Sequence, residues 1–522
     1  MIETTKSTVL DHDAAPMRPG VFGRAAVWSR CHPTATVVAA SLIAGLLHAL
    51  YLGVALLPDE GGFLLVAQNW TSGPYLYGQL WVDRPPLLIL AFRVIAPFGA
   101  TGVHLLASLS SAFFVLAAGW AGWAARGGTA ARWSAIAAAA LSASALMGSQ
   151  ELDGELLAIP FVMVACAAIL HAVYRSQSKL ARVTFALASG GAGSAALLVK
   201  QNFAEGLVFG FVILVAHLVT CRGYKRRDEF ASMLLAAAAF AAGAIGVLAS
   251  VAVWAAGNGQ LSALWFATYT FRIEAMHVMN AGSLDPQKTR AVELAELAVV
   301  SGIGYLAIAA VRASAPAARR LDPFALALLA GLGVEFVGIV LGGNFWSHYL
   351  LGLAPMVALG AGAAAVNGRW TRRLVMLCAA TTLIATPVAA VNAHLWESSA
   401  TRVGAWLRVA SSPGDSAVVT FSHPNALQES GLTTPYPYAW SLPVRTLDPQ
   451  LHLLTQTLEG PNAPTWVVEW DNFNAWRLDP QQTFAQVVSD HYRLVATVCG
   501  IPVWLRDGTF RSVPPRPANC LR

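Results

Sequence analysis

Apolar residues come in long unbroken runs along this chain, separated by short polar segments. The runs lie at about Thr36–Leu57, Thr101–Ala125, Trp133–Gly148, Leu156–Tyr174, Val183–Val199, Leu207–Thr220, Phe230–Ala255, Ala291–Val311, Pro323–Leu341, Tyr349–Val366 and Leu374–Val391. They are rich in Ala and Leu and show no strand-like alternation, so they predict helices crossing about 30 Å of hydrocarbon rather than a barrel. The pattern therefore predicts a polytopic α-helical membrane protein with about eleven transmembrane helices. After His394 the pattern changes. Val418–Phe421, Trp466–Trp470, Tyr492–Val498 and Pro502–Leu505 read as short strands, with helices over Ala400–Ala410 and Gln481–Asp490. A small C-terminal α/β domain over residues 394–522 follows, behind a membrane domain over 36–393 and an N-terminal tail over 1–35.

Composition supports this picture. Of 522 residues, 56% are hydrophobic and 12% charged, against about 25% charged in ordinary soluble domains. The net charge of +6 sits mainly in short loops: Arg126 and Arg132, Arg175 to Arg182, Arg222 to Arg227, Arg312 to Arg320, and Arg369 to Arg373. All of these fall on the side of the N-terminus, which the positive-inside rule makes cytoplasmic. The expectation is a plasma or inner membrane protein with its C-terminal domain extracytoplasmic. No basic-aromatic stripe suggests a nucleic-acid partner. Cys499 and Cys520 lie in the tail, where pairing and free thiols are both open readings.

Candidate chemistry collects on the other, outer side. Asp59 and Glu60 follow the first run and open an outer loop over residues 58–100. Asp83 and Arg84 lie further along it, before Pro85-Pro86. A lone acid there reads as a solvated loop residue, but acids grouped with an arginine at a membrane boundary point to a site. Asp59 or Glu60 could serve as a general base, and Arg84 as a bidentate phosphate ligand. Glu151, Asp153 and Glu155 alternate between two runs; three acids at every second position cannot share one helix face, and Asp153 is the chosen inward residue. Lys200 ends the fifth run, either snorkelling to the interface or binding phosphate. His348, in Asn344-Phe345-Trp346-Ser347-His348-Tyr349, could contact substrate or a metal, as could His277 and Glu274. No spacing forms a structural zinc site, and a divalent cation bridging carboxylates and phosphate is compatible with the sequence without being demanded by it.

The series Asp59-Glu60, Asp83-Arg84-Pro85-Pro86-Leu87, Asp153, Leu198-Val199-Lys200 and His348-Tyr349-Leu350-Leu351 resembles the membrane glycosyltransferases of the GT-C class. It is most similar to the lipid A aminoarabinose transferases and protein O-mannosyltransferases of glycosyltransferase family 39, over about Thr36 to Val366. His104 stands where that family would have an arginine, and Gln201-Asn202 follows Lys200 where Gly-Pro is common. The resemblance implies an inverting glycosyltransferase. Its donor would be a polyprenyl-phosphate sugar and its acceptor a cell-envelope glycan, lipid or protein, with membrane lipids around it. Asp59 would be the base, assisted by Glu60. Arg84 and Lys200 would hold the lipid phosphate, and Asp83, Asp153 and His348 would complete the substrate site. A transporter or flippase of lipid-linked saccharides is the alternative. It calls for polar residues at mid-membrane, where Glu335 stands out. A scaffold displaying the C-terminal domain would not need the charged cluster.

Overall fold

The computed structural model describes residues 32–70, 76–223, 227–282, 284–396, 398–517 and 520. Residues 1–31 of the expected N-terminal tail, residues 71–75 of the expected outer loop and part of the Arg222–Arg227 cluster fall outside them. Each of the eleven apolar runs carries a helix, some of them interrupted. Among the described residues, six helical segments are by length and composition long and apolar enough to cross a membrane: Pro86–Arg126, Gly154–Tyr174, Lys179–Val199, Arg227–Gly257, Pro323–Gly342 and the one starting at Arg369. A pair, Asp285–Val300 and Ile303–Ala318, bends by 71° and makes up to seven. The bend falls at Gly302, whose φ of +84° suits only glycine. Pro33–Ala49 and Tyr349–Ala365 are apolar and of 17 residues each. Helices of 17 residues rise about 25 Å.

The helices start where the sequence signals them. Pro33, Pro58, Pro86 and Pro323 occupy first turns, where a missing N–H costs nothing. Asp153, Ser178 and Asp322 cap the helices that follow them. The Gly154–Tyr174 helix is central, with 78% of its apolar window buried, against 17% for Arg227–Gly257. It packs on helices Lys179–Val199, Gly99–Arg126 and Glu205–Gly223. Helices Lys179–Val199 and Arg227–Gly257 approach through Gly190 and Gly243, where a Cβ would lie 1.9 Å from Phe240 O and 2.0 Å from Leu187 O.

The C-terminal part forms a four-stranded sheet in the order β1-β2-β4-β3, from Ala417–Val419, Trp466–Val468, Tyr492–Val498 and Ile501–Arg506. β1 and β2 are parallel, and the other pairings are antiparallel. All four strands fall where the sequence predicts them. Cys499 and Cys520 form a disulfide. This domain caps the outer loop. Trp81 N–H donates to Pro437 O at 3.0 Å, and Asn425 donates to Leu56 O at 2.9 Å. Gly61 and Gly62 make the seat, since a Cβ on either would lie 2.4 Å from Asn425 Cβ or 2.2 Å from the Trp440 ring.

Candidate active site

Asp59 lies in the first turn of helix Pro58–Asn69. Its Oδ1 accepts the Trp440 Nε1–H at 2.9 Å, and its backbone N–H donates to Glu151 Oε1 at 3.3 Å. One carboxylate oxygen is thereby oriented by the C-terminal domain, and Oδ2 makes no hydrogen bond among the described residues. Glu60 is placed differently. Its Oε2 accepts from Leu57 N–H at 3.0 Å and its Oε1 from Leu152 N–H at 2.7 Å. Burial pushes its carboxyl above the ordinary range, against His104 and these two amides. Glu60 ties the helix start to the segment carrying Asp153. His104, at the departure from the family pattern, donates to or accepts from Val54 O at 3.0 Å, depending on tautomer, and lies close enough to Glu60 to act on its charge.

Asp83 bridges two arginines: Oδ1 to Arg84 Nη1 at 2.8 Å and Oδ2 to Arg272 Nη2 at 2.6 Å. Burial alone would raise its carboxyl, but Arg272 and Arg84 outweigh burial and hold it below the ordinary value. Burial likewise opposes the Arg84 charge, yet Asp83, then Asp59 and Glu155, hold that guanidinium above its usual value. Gln201 donates to Asp83 O at 3.3 Å, giving work to the second departure from the family pattern. Arg272 was not a candidate from sequence. It follows a π-helical turn over Phe266–Thr270, a feature frequent at functional sites but without a sequence signature. Trp81 and Phe271, 4.5 Å apart in an edge contact, fix the helix that carries it.

The third group contains Asp153, Glu155, Lys200 and His348. Glu155 pairs with Lys200, and Lys200 lies 5.1 Å from the Tyr349 ring centroid. Asp153 Oδ1 caps its helix through Leu156 N–H at 2.9 Å. Its Oδ2 is 3.4 Å from His348 Nδ1, but no hydrogen bond reaches it. Burial pushes Asp153 well above the ordinary range, helped by Glu155, and lowers His348, which favours a neutral imidazole. Glu151 is also raised, first by burial and then by Asp59 and Glu60. The ligand atoms of Asp153, Glu155 and His348 lie within 4.8 Å of one another, and Asp153 Oδ2 and Glu155 Oε2 are buried without a donor. Two such carboxylate oxygens beside a neutral imidazole suit a divalent cation.

The structure thus gathers Asp59, Asp83, Arg84, Asp153, Lys200 and His348, all read from the sequence, into one acid-cation cluster, and adds Glu155, Arg272 and Trp440. Glu274 and His277 are exposed instead. Glu335 is buried beside Gly352, whose Cβ would lie 1.9 Å from Glu335 Oε1, and it is near enough to Glu155 and Lys200 to feel their charges.

Comparison with known structures agrees with this architecture. The chain is similar to ArnT from Cupriavidus metallidurans in the apo state, with a TM-score of 0.60, 14% identity and coverage of 92% of this chain and 98% of that one. It is equally similar to that protein bound to undecaprenyl phosphate, with a TM-score of 0.59 at 15% identity and the same coverage. The Archaeoglobus fulgidus oligosaccharyltransferase in complex with Zn and sulfate gives a TM-score of 0.53 at 12% identity, covering 83% of this chain and 67% of that one. No family model and no curated protein matches the sequence. The chain has the GT-C fold, as a multi-pass membrane protein with a small mixed sheet at its C-terminal end.

Proposed function

We propose that this protein is an inverting glycosyltransferase that moves a sugar from a polyprenyl-phosphate donor to an envelope acceptor on the outer face of the membrane. The observation that carries the reading is the set of three buried or half-buried cations, Arg84 and Arg272 on Asp83 and Lys200 on Glu155, with Arg84 also near enough to Asp59 and Glu155 to feel their charges. In the reaction an acceptor hydroxyl attacks the anomeric carbon from the face opposite phosphate. The C–O bond to phosphate breaks, and its electron pair leaves on the phosphate. Asp59 takes the hydroxyl proton through Oδ2. Preplaced cations stabilise the negative charge that develops on phosphate, and two guanidiniums offer it fork geometry. Asp83 holds these arginines in place, and Glu60 and Trp440 position Asp59. Asp153, Glu155 and His348 would hold a divalent cation, which would neutralise further phosphate charge when bound. Undecaprenyl phosphate bound to ArnT supports a lipid-phosphate carrier. The Cys499–Cys520 disulfide supports an extracytoplasmic C-terminal domain. The transporter reading has less support: Glu335 is a single buried acid, whereas the cations Arg84, Arg272 and Lys200 each pair with a carboxylate.

The test is donor kinetics on the purified protein with undecaprenyl-phosphate sugars. Arg84→Ala and Lys200→Ala should each raise the donor KM at least tenfold, and Arg84→Lys should recover only part, because the fork is lost. Wild-type donor kinetics in both alanine variants would refute the phosphate assignment.

A further inference from the structure

The C-terminal domain carries a second constellation, apart from the Asp59 cluster. β1 and β2 run parallel with Val419 opposite Val468, so the segments after them, 420–423 and 469–471, leave the same sheet edge side by side. Ligands commonly bind beyond the carboxyl ends of parallel strands. Two non-glycine residues there, Phe421 at φ +69° and His423 at φ +60°, take the left-handed conformation. This costs about 1–3 kcal/mol each, and such strain clusters at functional sites. The strain presents Ser422 and His423 toward the neighbouring segment. His423 stacks on Trp470, with ring centroids 4.0 Å apart and planes 25° from parallel.

The hydrogen bonds fix the chemistry of this crevice. Ser422 Oγ–H donates to Asp471 Oδ2 at 2.6 Å. A carboxylate only accepts, so the single hydroxyl proton is committed there. Toward His423 Nδ1, at 2.9 Å, the same oxygen must therefore accept. Nδ1 carries the proton, and Nε2 is left as a bare acceptor. Burial lowers the His423 imidazole below its usual value, which keeps it neutral. The segments thus offer an imidazole nitrogen, one carboxylate and a half-buried aromatic stack. They call for a ligand rich in donors, free of negative charge and flat on one face.

We propose that this crevice is a saccharide-binding subsite for a neutral sugar. The hydroxyls would donate to His423 Nε2 and Asp471, and the C–H face would lie against the Trp470–His423 stack. Helix Pro424–Ser430, which follows His423 directly, is seated on Gly61 and Gly62 of the Asp59 helix, so the subsite is tied to the active site. Identifying the bound sugar as the acceptor rests on the glycosyl-transfer reading; sugar binding itself does not.

Saturation-transfer difference NMR on the full chain in a sugar-free detergent, with maltohexaose, mannohexaose and chitohexaose, tests it. At least one sugar should receive saturation at its ring C–H protons. Trp470→Ala should weaken binding at least about tenfold. His423→Asn, which tolerates the left-handed backbone, should weaken it about three- to tenfold. Trp470→Phe keeps the packing and should retain most binding, which guards against a folding defect in the alanine variant. Asp59→Asn should leave sugar binding unchanged even if it abolishes transfer. No saturation of any of the three sugars, or saturation undiminished in both Trp470→Ala and His423→Asn, would overturn the proposal.

Discussion

Replacing Asp83 with Asn removes one charge from between two guanidiniums. Asp83 lies 2.8 Å from Arg84 and 2.6 Å from Arg272, with side-chain exposures of 14%, 15% and 32% for Asp83, Arg84 and Arg272. Breaking a buried pair by removing one partner costs about 3–5 kcal/mol. The partial exposure of Arg272 trims that, so about 3 kcal/mol is expected here. The two freed arginines repel each other, and both the folded state and the donor site should suffer. Unfolding monitored by intrinsic fluorescence in detergent gives the first quantity, and donor titration the second. A cycle with Arg272→Gln isolates the contact, with a coupling of about 1–3 kcal/mol. The pH dependence follows from the direction of the shift. Asp83 has a lowered carboxyl in the folded state, so its contribution is fully present above its unfolded value. It is lost only as pH falls through the lower folded value, below about pH 4. Between pH 5 and 8 the stability difference between wild type and Asp83→Asn should be flat. Coupling under about 0.5 kcal/mol, or a difference that vanishes between pH 5 and 8, would refute this reasoning.

Three further outcomes are expected. Trp440→Phe keeps the ring but deletes the N–H on Asp59 Oδ1, so turnover should fall roughly five- to tenfold at unchanged donor KM, as for one lost hydrogen bond. Glu60→Gln turns an acceptor-only carboxylate into an amide facing two backbone N–H groups; it should lower stability by about 1–3 kcal/mol and slow turnover less than Asp59→Asn. Treatment with EDTA should reduce turnover, Mn²⁺ should restore it, and His348→Ala should abolish the restoration, because His348 completes the set with Asp153 and Glu155.

Much of the site was legible because membrane chemistry makes charge conspicuous. Asp59, Asp83, Arg84 and Lys200 stand at the ends of apolar runs, where they must be wet, paired or used. The strands were legible because β1 to β4 are short β-branched or aromatic runs between turn residues. What was missed depends on distance along the chain. Trp440 lies 381 residues from Asp59, and nothing local marks it as a partner. Glu155 looked like one of three interchangeable acids. Only the capping of helix Gly154–Tyr174 by Asp153 sets Glu155 toward Lys200. Run length and helix length diverge in places. The Thr36–Leu57 run includes a turn after Ala49, so its helix is shorter than its apolar sequence.

The central claim is that Asp59 removes the acceptor proton while the three cations hold the donor phosphate. The most direct test is the release of undecaprenyl phosphate from an undecaprenyl-phosphate sugar by wild type and Asp59→Asn, with donor affinity measured on the same samples. Asn keeps the size and the Trp440 contact but cannot take the proton. Loss of a general base costs about 10²–10⁴ in rate, so release should slow by that order while donor affinity stays within about threefold, well inside the shift that losing one hydrogen bond would produce. Wild-type release by Asp59→Asn would contradict the account.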